Sequence, residues 1–186
     1  MPEYWQIAVY GEGSMQKIIA AVTECLVMVC AVWFTSFLST FLHEFGHALG
    51  YMLATGDRHW HIRVGWGKQL LDTKALTVNL LVFDGLFTPL EKEIDTKSKL
   101  IATLAGGPVV SLLLGMGMLA MRSGELSFRS DILADGVISY FINYAFYCNL
   151  FILILSVAPV HYFWGTVRGL ESDGLQIMRA IKKNGK

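Results

Sequence analysis

Three long apolar stretches, separated by charged or mixed segments, dominate the hydropathy pattern of the chain. They cover residues 18–54, 100–121 and 137–158. A helix that spans a bilayer needs about 20 consecutive apolar residues, so each stretch is long enough to cross once. Because the first is longer than one perpendicular crossing requires, we expect it to tilt, kink or protrude. Residues 1–17 are predicted to be an extramembrane N-terminal segment.

A different pattern occupies the charged segment between the first two stretches, residues 56–99. Within residues 75–83 every second residue is apolar, which predicts a strand with one apolar face. That face contains Leu76, Val78, Leu80 and Val82, and the opposite face contains Thr77 and Asn79. Residues 58–66 are a weaker candidate partner, so we expect a small hairpin or sheet at the membrane surface. As an edge strand, residues 75–83 could take up an extended peptide substrate.

The C-terminal tail, residues 172–182, has its apolar residues at helical spacing. Leu175, Met178 and Ile181 recur on one side, and basic residues occupy other positions. This pattern is typical of a short amphipathic helix that lies at the membrane interface.

Composition agrees with a membrane protein, since 54% of the residues are hydrophobic and only 16% are charged. Soluble domains carry about 25% charged residues. The predicted fold class is therefore mainly α: a multi-pass membrane helical bundle of three core spans, with a small cytoplasmic β hairpin or sheet after the first span. Residues 18–186 would form this single membrane-embedded domain. The net charge of zero gives no electrostatic basis for binding nucleic acid.

The distribution of basic residues predicts the orientation. Three crossings put residues 56–99 and the C-terminal tail on one side of the membrane, with twelve of the fifteen lysines and arginines. Because basic residues are retained on the cytoplasmic side, that side is predicted to be the cytoplasm and the N-terminus to be outside. We expect a prokaryotic cell membrane.

The segment that carries candidate chemistry is the HEFGH sequence at the end of the first stretch. His43 and His47 are four residues apart and share a helix face, so both can bind one metal ion. Neutral imidazole suits Zn²⁺, and Glu44 can act as general base on a zinc-bound water. Ionisable residues inside a spanning segment are expensive, which favours a functional role.

A catalytic zinc site uses three protein ligands, so a third must come from elsewhere in the chain. Glu24 is too far along the helix. Spacing leaves the other acidic and imidazole candidates open, and Asp173 could equally be a carboxylate that begins the last helix. These candidates are Asp173, His161, His59, His61 and Asp84.

Small and polar residues in the second and third stretches provide further candidates. Gly107, Ser111 and Gly115 are spaced by four, a ridge that lets helices approach closely and could bring the second span against the metal-binding helix. Asn143 and Asn149 are polar groups that need partners. They either bind neighbouring helices or hydrogen-bond an unwound substrate.

The order of these motifs resembles the site-2 protease family of intramembrane zinc metalloproteases. HEFGH ends the first core span, AGGP lies in the second, and a proline followed by Asp-Gly comes after the third. The family often has an asparagine soon after Gly-Pro, where this chain has Ser111. It also often has Asn-x-x-Pro closely followed by Leu-Asp-Gly, whereas here Ser156 begins SVAP and Asp173 follows fourteen residues after the proline.

The resemblance implies a zinc metalloendopeptidase that cleaves membrane-spanning or membrane-associated proteins, with one Zn²⁺ per chain. His43, His47 and Asp173 would be the metal ligands and Glu44 the catalytic base. The candidate substrate-binding residues are Ser111, Asn143, Asn149 and Asn79. The expected partners are the protein substrate and the lipid bilayer, and the oligomeric state stays open.

Three other functions remain compatible with the sequence. One is a non-proteolytic membrane scaffold or sensor that retains the zinc site. Another is a zinc or cation transporter, which is less favoured because the ionisable residues are concentrated at one end of the spans. The third is a structural membrane anchor in which the motif occurs by chance.

Overall fold

The computed structural model describes the backbone of residues 3–123 and 135–182, and the side chains of residues 14–123 and 139–182. This part of the chain is mainly helical. Its elements are helix α1 (Glu3–Thr55), strands β1 (Trp60–Asp72) and β2 (Leu76–Pro89), helices α2 (Lys97–Arg122) and α3 (Asp135–Val157), a 3₁₀ turn (Gly165–Val167) and helix α4 (Asp173–Lys182). The predictions of three apolar helices and a short C-terminal helix are confirmed. Helix α1 begins earlier than the first apolar stretch and includes most of residues 1–17.

Among the described residues, three helices are long and apolar enough to cross a membrane: Ser14–Thr55, Lys97–Arg122 and Ser139–Val157. Many of their large apolar side chains are exposed, including Leu53, Leu113 and Phe151. A soluble protein rarely leaves so much contiguous apolar surface in water, so these helices indicate membrane association. The basic residues Arg129, Lys183 and Lys186, which contributed to the predicted orientation, lie outside the described residues.

The chain divides into two compact units, Met1–Phe34 and Thr35–Lys186. In the first unit, the described side chains from Ser14 to Phe34 are mostly exposed and mostly apolar. In the second unit, the remainder of α1 buries a run of polar side chains. These are Ser36, Ser39, Thr40, His43, Glu44 and His47. Burial of so many polar groups in an apolar helix requires partners for them, and those partners define the candidate site.

Strands β1 and β2 form an antiparallel two-stranded sheet, which confirms the predicted hairpin. Residues Ile62–Val64 of β1 pair with both parts of β2, namely with Leu76–Val78 and with Gly85–Phe87. Thr77 and Val78 pair in addition with Asp72 and Leu71, so they lie inside the sheet. The hypothesis that residues 75–83 form a free edge is therefore wrong for this part of the segment. The segment from Gly85 to Phe87 pairs on one side only, and among the described residues no strand pairs with its other edge.

The predicted alternation along β2 also fails in part. Leu80, assigned to the apolar face, is 46% exposed, whereas Asn79 is buried. The reason is an irregular register between Val64 and Leu71, in which Gly65 and Gly67 adopt positive φ. The side-chain amide of Asn79 donates to the freed Gly65 carbonyl at 2.8 Å, which satisfies both groups inside the sheet.

Glycines allow α1 and α2 to approach closely. A Cβ atom at Gly46 would collide with the Gly106 carbonyl, and one at Gly107 would collide with the ring nitrogens of His43 and His47. The AGGP sequence therefore gives the imidazoles the room they occupy. Gly115, which we expected to extend this ridge, faces open space.

Candidate metal and catalytic centre

His43 and His47 lie one turn apart on α1 and turn their Nε2 atoms toward each other at 3.3 Å. Both side chains are buried. Their Nδ1 atoms face α2, where His43 Nδ1 lies 2.8 Å from Ser111 Oγ and His47 Nδ1 lies 2.9 Å from the Thr103 carbonyl. A second hydrogen-bonded partner of this kind fixes ring orientation in metal-binding histidines.

These partners determine which nitrogen of His47 carries a proton. A carbonyl oxygen only accepts, so His47 Nδ1 must donate to Thr103, and in the neutral ring Nε2 then has a free lone pair. Ser111 can accept in the same way from His43 Nδ1. Both Nε2 lone pairs are then directed into one small volume, an arrangement that is repulsive unless a cation or a proton lies between them.

Asp173, the first residue of α4, completes this volume. Its Oδ2 atom lies 3.4 Å from His47 Nε2 and 3.7 Å from His43 Nε2. The hydroxyl of Ser156 on α3 donates to the same oxygen at 2.5 Å. Asp173 is thus held against both imidazoles by an interaction outside α4.

The chain between α3 and α4 turns back on itself to bring Asp173 there. Tyr162 is hydrogen-bonded through its backbone to Leu170 and Gly169. The buried hydroxyl of Ser172 donates to the Ala158 carbonyl. At Gly174 a Cβ atom would collide with the Val157 carbonyl, so this glycine lets α4 begin against the end of α3.

The three converging atoms fit a zinc ion. Donors around four-coordinate zinc, bound at about 2.0–2.2 Å, are about 3.3–3.6 Å apart. The three separations in this site are 3.3, 3.4 and 3.7 Å. Two imidazole nitrogens and one carboxylate oxygen are also a donor set that catalytic zinc sites use.

Glu44 lies beside this donor set and is buried. Its carboxylate is within 4.8 Å of both imidazoles. On its other side it faces the free edge of the sheet, where a Cβ atom at Gly85 would collide with it and the backbone of Phe87 interacts with it. Glu44 can therefore reach a molecule that lies between the metal ligands and the edge strand.

Two cavities border the centre. The larger, of about 510 Å³, contains the two imidazoles, Glu44 and Asp173 and extends along Gly85–Pro89 of β2. The smaller, of about 90 Å³, lies on the far side of Glu44 and is lined by apolar side chains of α3 and by Asp84. The site is thus open to a ligand larger than water.

The candidate substrate-binding residues lie in different places. Ser111 is buried at the centre, where it contacts His43. Asn143 donates to the Ser139 carbonyl within α3, and Asn149 donates to Ser39 and so joins α3 to α1. Asn79 donates to the Gly65 carbonyl in the irregular part of the sheet. None of these three asparagines lines either cavity.

The alternative third ligands in the second unit have contacts elsewhere, and among their atoms Oδ1 of Asp84 is buried without a hydrogen-bond partner in the described part of the chain. His161 is 55% exposed and pairs with Glu171, and His61 contacts the Thr77 hydroxyl. His59 pairs with Asp57 and Glu91, a second group with metal-ligand geometry. Asp84 accepts hydrogen bonds from the backbone and hydroxyl of Thr166. Glu24 belongs to the first unit. Among the candidates in the second unit, Asp173 alone contacts both imidazoles.

Several residues of the centre were not found from the sequence. Thr103 acts through its carbonyl, which carries no sequence signal, although it precedes Ser111 by two turns on the same face of α2. Ser156 takes the place of the asparagine in the Asn-x-x-Pro pattern of the family that the chain resembles. That position could have indicated a polar residue of the centre. Gly85 lies in β2 beyond the predicted strand of residues 75–83, and Tyr162 lies in a segment without helix or strand, so no periodicity indicates either residue.

Comparison of the chain with protein-family models, with curated proteins and with solved structures finds no match.

Proposed function

We propose that this chain is a multi-pass membrane zinc endopeptidase of the site-2 protease type, which hydrolyses membrane-spanning or membrane-associated proteins. The observation that carries the proposal is the convergence of His43, His47 and Asp173 on one point beside the carboxylate of Glu44. Ligand-type atoms that meet at one point in a buried site favour a cation between them, and a carboxylate next to that cation can serve as a base.

The proposed reaction uses Glu44 twice. When bound, zinc supplies the Lewis acidity that makes water acidic near neutral pH. Glu44 takes one proton from the attacking water as the water oxygen bonds to the scissile carbonyl carbon. When the carbon–nitrogen bond breaks, Glu44 returns that proton to the leaving nitrogen. His43, His47 and Asp173 hold their positions through Ser111, Thr103 and Ser156 and exchange no protons with the substrate.

The free edge of β2 supports binding of an extended substrate. A helical substrate hides its carbonyls in intrahelical hydrogen bonds and has to unwind before it can be cleaved. The segment from Gly85 to Pro89 lines the larger cavity next to Glu44. A substrate strand that adds to this edge would exchange its helical hydrogen bonds for sheet hydrogen bonds and bring its carbonyls to the base.

The proposal includes a topology. The three apolar helices would cross the membrane, with the hairpin and α4 on the cytoplasmic side and the N-terminus outside. His43 and His47 are close to the end of α1 that leads into the hairpin, so water would reach the site from the cytoplasm over a short path.

The decisive experiment is a cleavage assay on the purified full chain in liposomes. The probes are casein, which is loosely folded, and a set of single-span fusion proteins. Glu44→Gln should retain about one zinc per chain and lose cleavage by about 10²–10⁴-fold, since it keeps the shape of the side chain but removes the base. Glu24→Gln on the same helix is the matched control and should cleave normally.

Equal cleavage by wild type and Glu44→Gln would rule out the proposed role of the base. Zinc binding without cleavage of any probe would favour the alternative, a metal-binding scaffold or sensor.

A further inference from the structure

One tyrosine in the chain between α3 and α4 lies where the two cavities meet. Five residues line both cavities: His43, Glu44, Gly85, Tyr162 and Val167. Of these, Gly85 and Val167 have no polar side chain, and His43 and Glu44 already have roles as ligand and base. Tyr162 therefore provides the remaining polar side chain that the two cavities share.

The backbone of Tyr162 is fixed by neighbours on both sides. Its N–H donates to the Leu170 carbonyl at 2.9 Å, and its carbonyl accepts from Gly169 at 2.8 Å. Next to it, His161 forms a β-bridge with Glu171. Further along, Thr166 donates to Asp84 of β2 through both its backbone and its hydroxyl. These hydrogen bonds fix the position of the segment between α3 and α4, and with it the backbone of Tyr162.

The hydroxyl of Tyr162 has no hydrogen-bond partner among the described residues, although its ring contacts Trp164. A partly buried hydroxyl without a partner loses interaction energy, which a ligand in the cavity could restore. A phenol is protonated at neutral pH, so this group is a hydrogen-bond donor there.

We propose that Tyr162 is a further catalytic residue, whose hydroxyl donates a hydrogen bond to the carbonyl oxygen of the scissile peptide as that oxygen becomes negatively charged. The inference rests on the proposed hydrolytic function. When water adds to the carbonyl carbon, the π electrons move to the oxygen, and Glu44 holds the proton that the water lost. Tyr162 stabilises the resulting oxyanion through its O–H without giving up its proton, and it releases the oxygen when the carbonyl re-forms and the carbon–nitrogen bond breaks.

An additional donor is useful in this place, because the donor groups of Thr40, Thr103 and Gln176 at the cavities already bind backbone carbonyls. The Glu44 and Asp173 carboxylates repel a developing negative charge, and the imidazole Nδ1 protons point away toward α2. A fixed donor that meets the charge only in the transition state accelerates the chemical step without tightening substrate binding.

The test compares Tyr162→Phe with Tyr140→Phe in the liposome cleavage assay. Phenylalanine keeps the ring and its contact with Trp164. Tyr140 is the matched control, since it is a partly exposed tyrosine on α3 that contacts Phe141 edge-on and lines neither cavity. Tyr162→Phe should lower kcat by about 10²-fold, as removal of one oxyanion donor does, with KM changed less than about twofold. Tyr140→Phe should leave both unchanged.

A second measurement uses a phosphinic peptide, whose tetrahedral anion resembles the charged species. Tyr162→Phe should bind it about 10²-fold more weakly than wild type, while an uncleaved peptide bound to the same variants in a Glu44→Gln background should bind equally. Zinc content and melting temperature are measured in parallel. An unchanged kcat, or equal loss of affinity for both ligands, would overturn the role of Tyr162 and leave the protease intact. Absence of Glu44-dependent cleavage by the wild type would overturn both.

Discussion

Two groups of histidine and carboxylate side chains in this protein have similar composition and different chemistry. One is His43, Glu44 and His47 with Asp173, and the other is Asp57, His59 and Glu91 at the start of the hairpin. In each of the sets His43–Glu44–His47 and Asp57–His59–Glu91, the potential ligand atoms lie within 4.8 Å of one another. Residue types and proximity alone would make both of them metal sites.

They differ in where their hydrogen-bonding capacity is used. The imidazoles of the first group direct their Nδ1 atoms to α2, so that the Nε2 lone pairs remain free inside the protein. In the second group His59 Nδ1 already lies 2.8 Å from Asp57 and 3.0 Å from Glu91, and the Tyr51 hydroxyl donates to the other oxygen of Asp57. His59 and Glu91 are also 60% and 62% exposed. The comparison teaches that unused lone pairs, rather than ligand types, distinguish the candidate metal centre from the second group, whose side chains already bind one another.

The largest effect expected from this difference is on metal content. His47→Ala removes one ligand and should reduce zinc from about one per chain to nearly none, because one imidazole and a carboxylate bind weakly. Metal analysis after dialysis measures this. His59→Ala is the control and should retain full occupancy. If the His59 variant lost zinc instead, the assignment of the two groups would be reversed.

A somewhat smaller effect is expected when the carboxylate ligand is removed. Asp173→Ala leaves the two imidazoles in place, so zinc should still bind but much more weakly, by more than the 10–100-fold typical of losing an outer partner. Competition with a chelator of known affinity gives the value, and Asp95→Ala, which removes an exposed carboxylate, serves as control. Unchanged affinity would mean that Asp173 is not a ligand.

Loss of an outer partner should have an intermediate effect. Ser111→Ala removes the group that faces His43 Nδ1, and zinc affinity should fall by about 10–100-fold while stoichiometry at saturating zinc stays at one. The same competition assay measures it, with Ser98→Ala on the exposed side of α2 for comparison. No difference between these two variants would show that Ser111 does not orient the imidazole.

The smallest effect on zinc binding is expected from a change in the second group, Asp57, His59 and Glu91. The Tyr51 hydroxyl holds the pKa of Asp57 below its usual range, assisted by the His59 backbone and ring. A lowered folded-state pKa contributes stability at pH values above about 3.9, the value in unfolded chains, and this contribution is lost as the pH falls through the folded-state pKa. Asp57→Asn should therefore lower the melting temperature by a few degrees at pH 7 with zinc unchanged, and the difference from wild type should shrink below about pH 4. A difference that is constant with pH would contradict the ionic origin.

The parts of the structure that follow strict periodicities could be predicted from the sequence. The apolar helices follow from length and hydropathy, and the pairing of His43 with His47 follows from the four-residue spacing on a helix. The register of the hairpin could not be predicted, because Gly65 and Gly67 shift the pairing and Asn79 then takes an inward position. Thr103 and Tyr162 could not be found either, since a backbone carbonyl has no sequence signature and the chain around Tyr162 has no repeat.

The turn that carries Asp173 back to α1 would couple metal binding to the stability of distant parts of the second unit. Residues 43 and 173 lie on either side of the hairpin, α2 and α3, so an ion held by both ends would cross-link one long loop of the chain. A cross-link over a long loop removes more freedom from the unfolded state than one over a short loop. Removal of the ion by a chelator should therefore destabilise the helices and the sheet together. The ion would stabilise the fold as well as take part in catalysis.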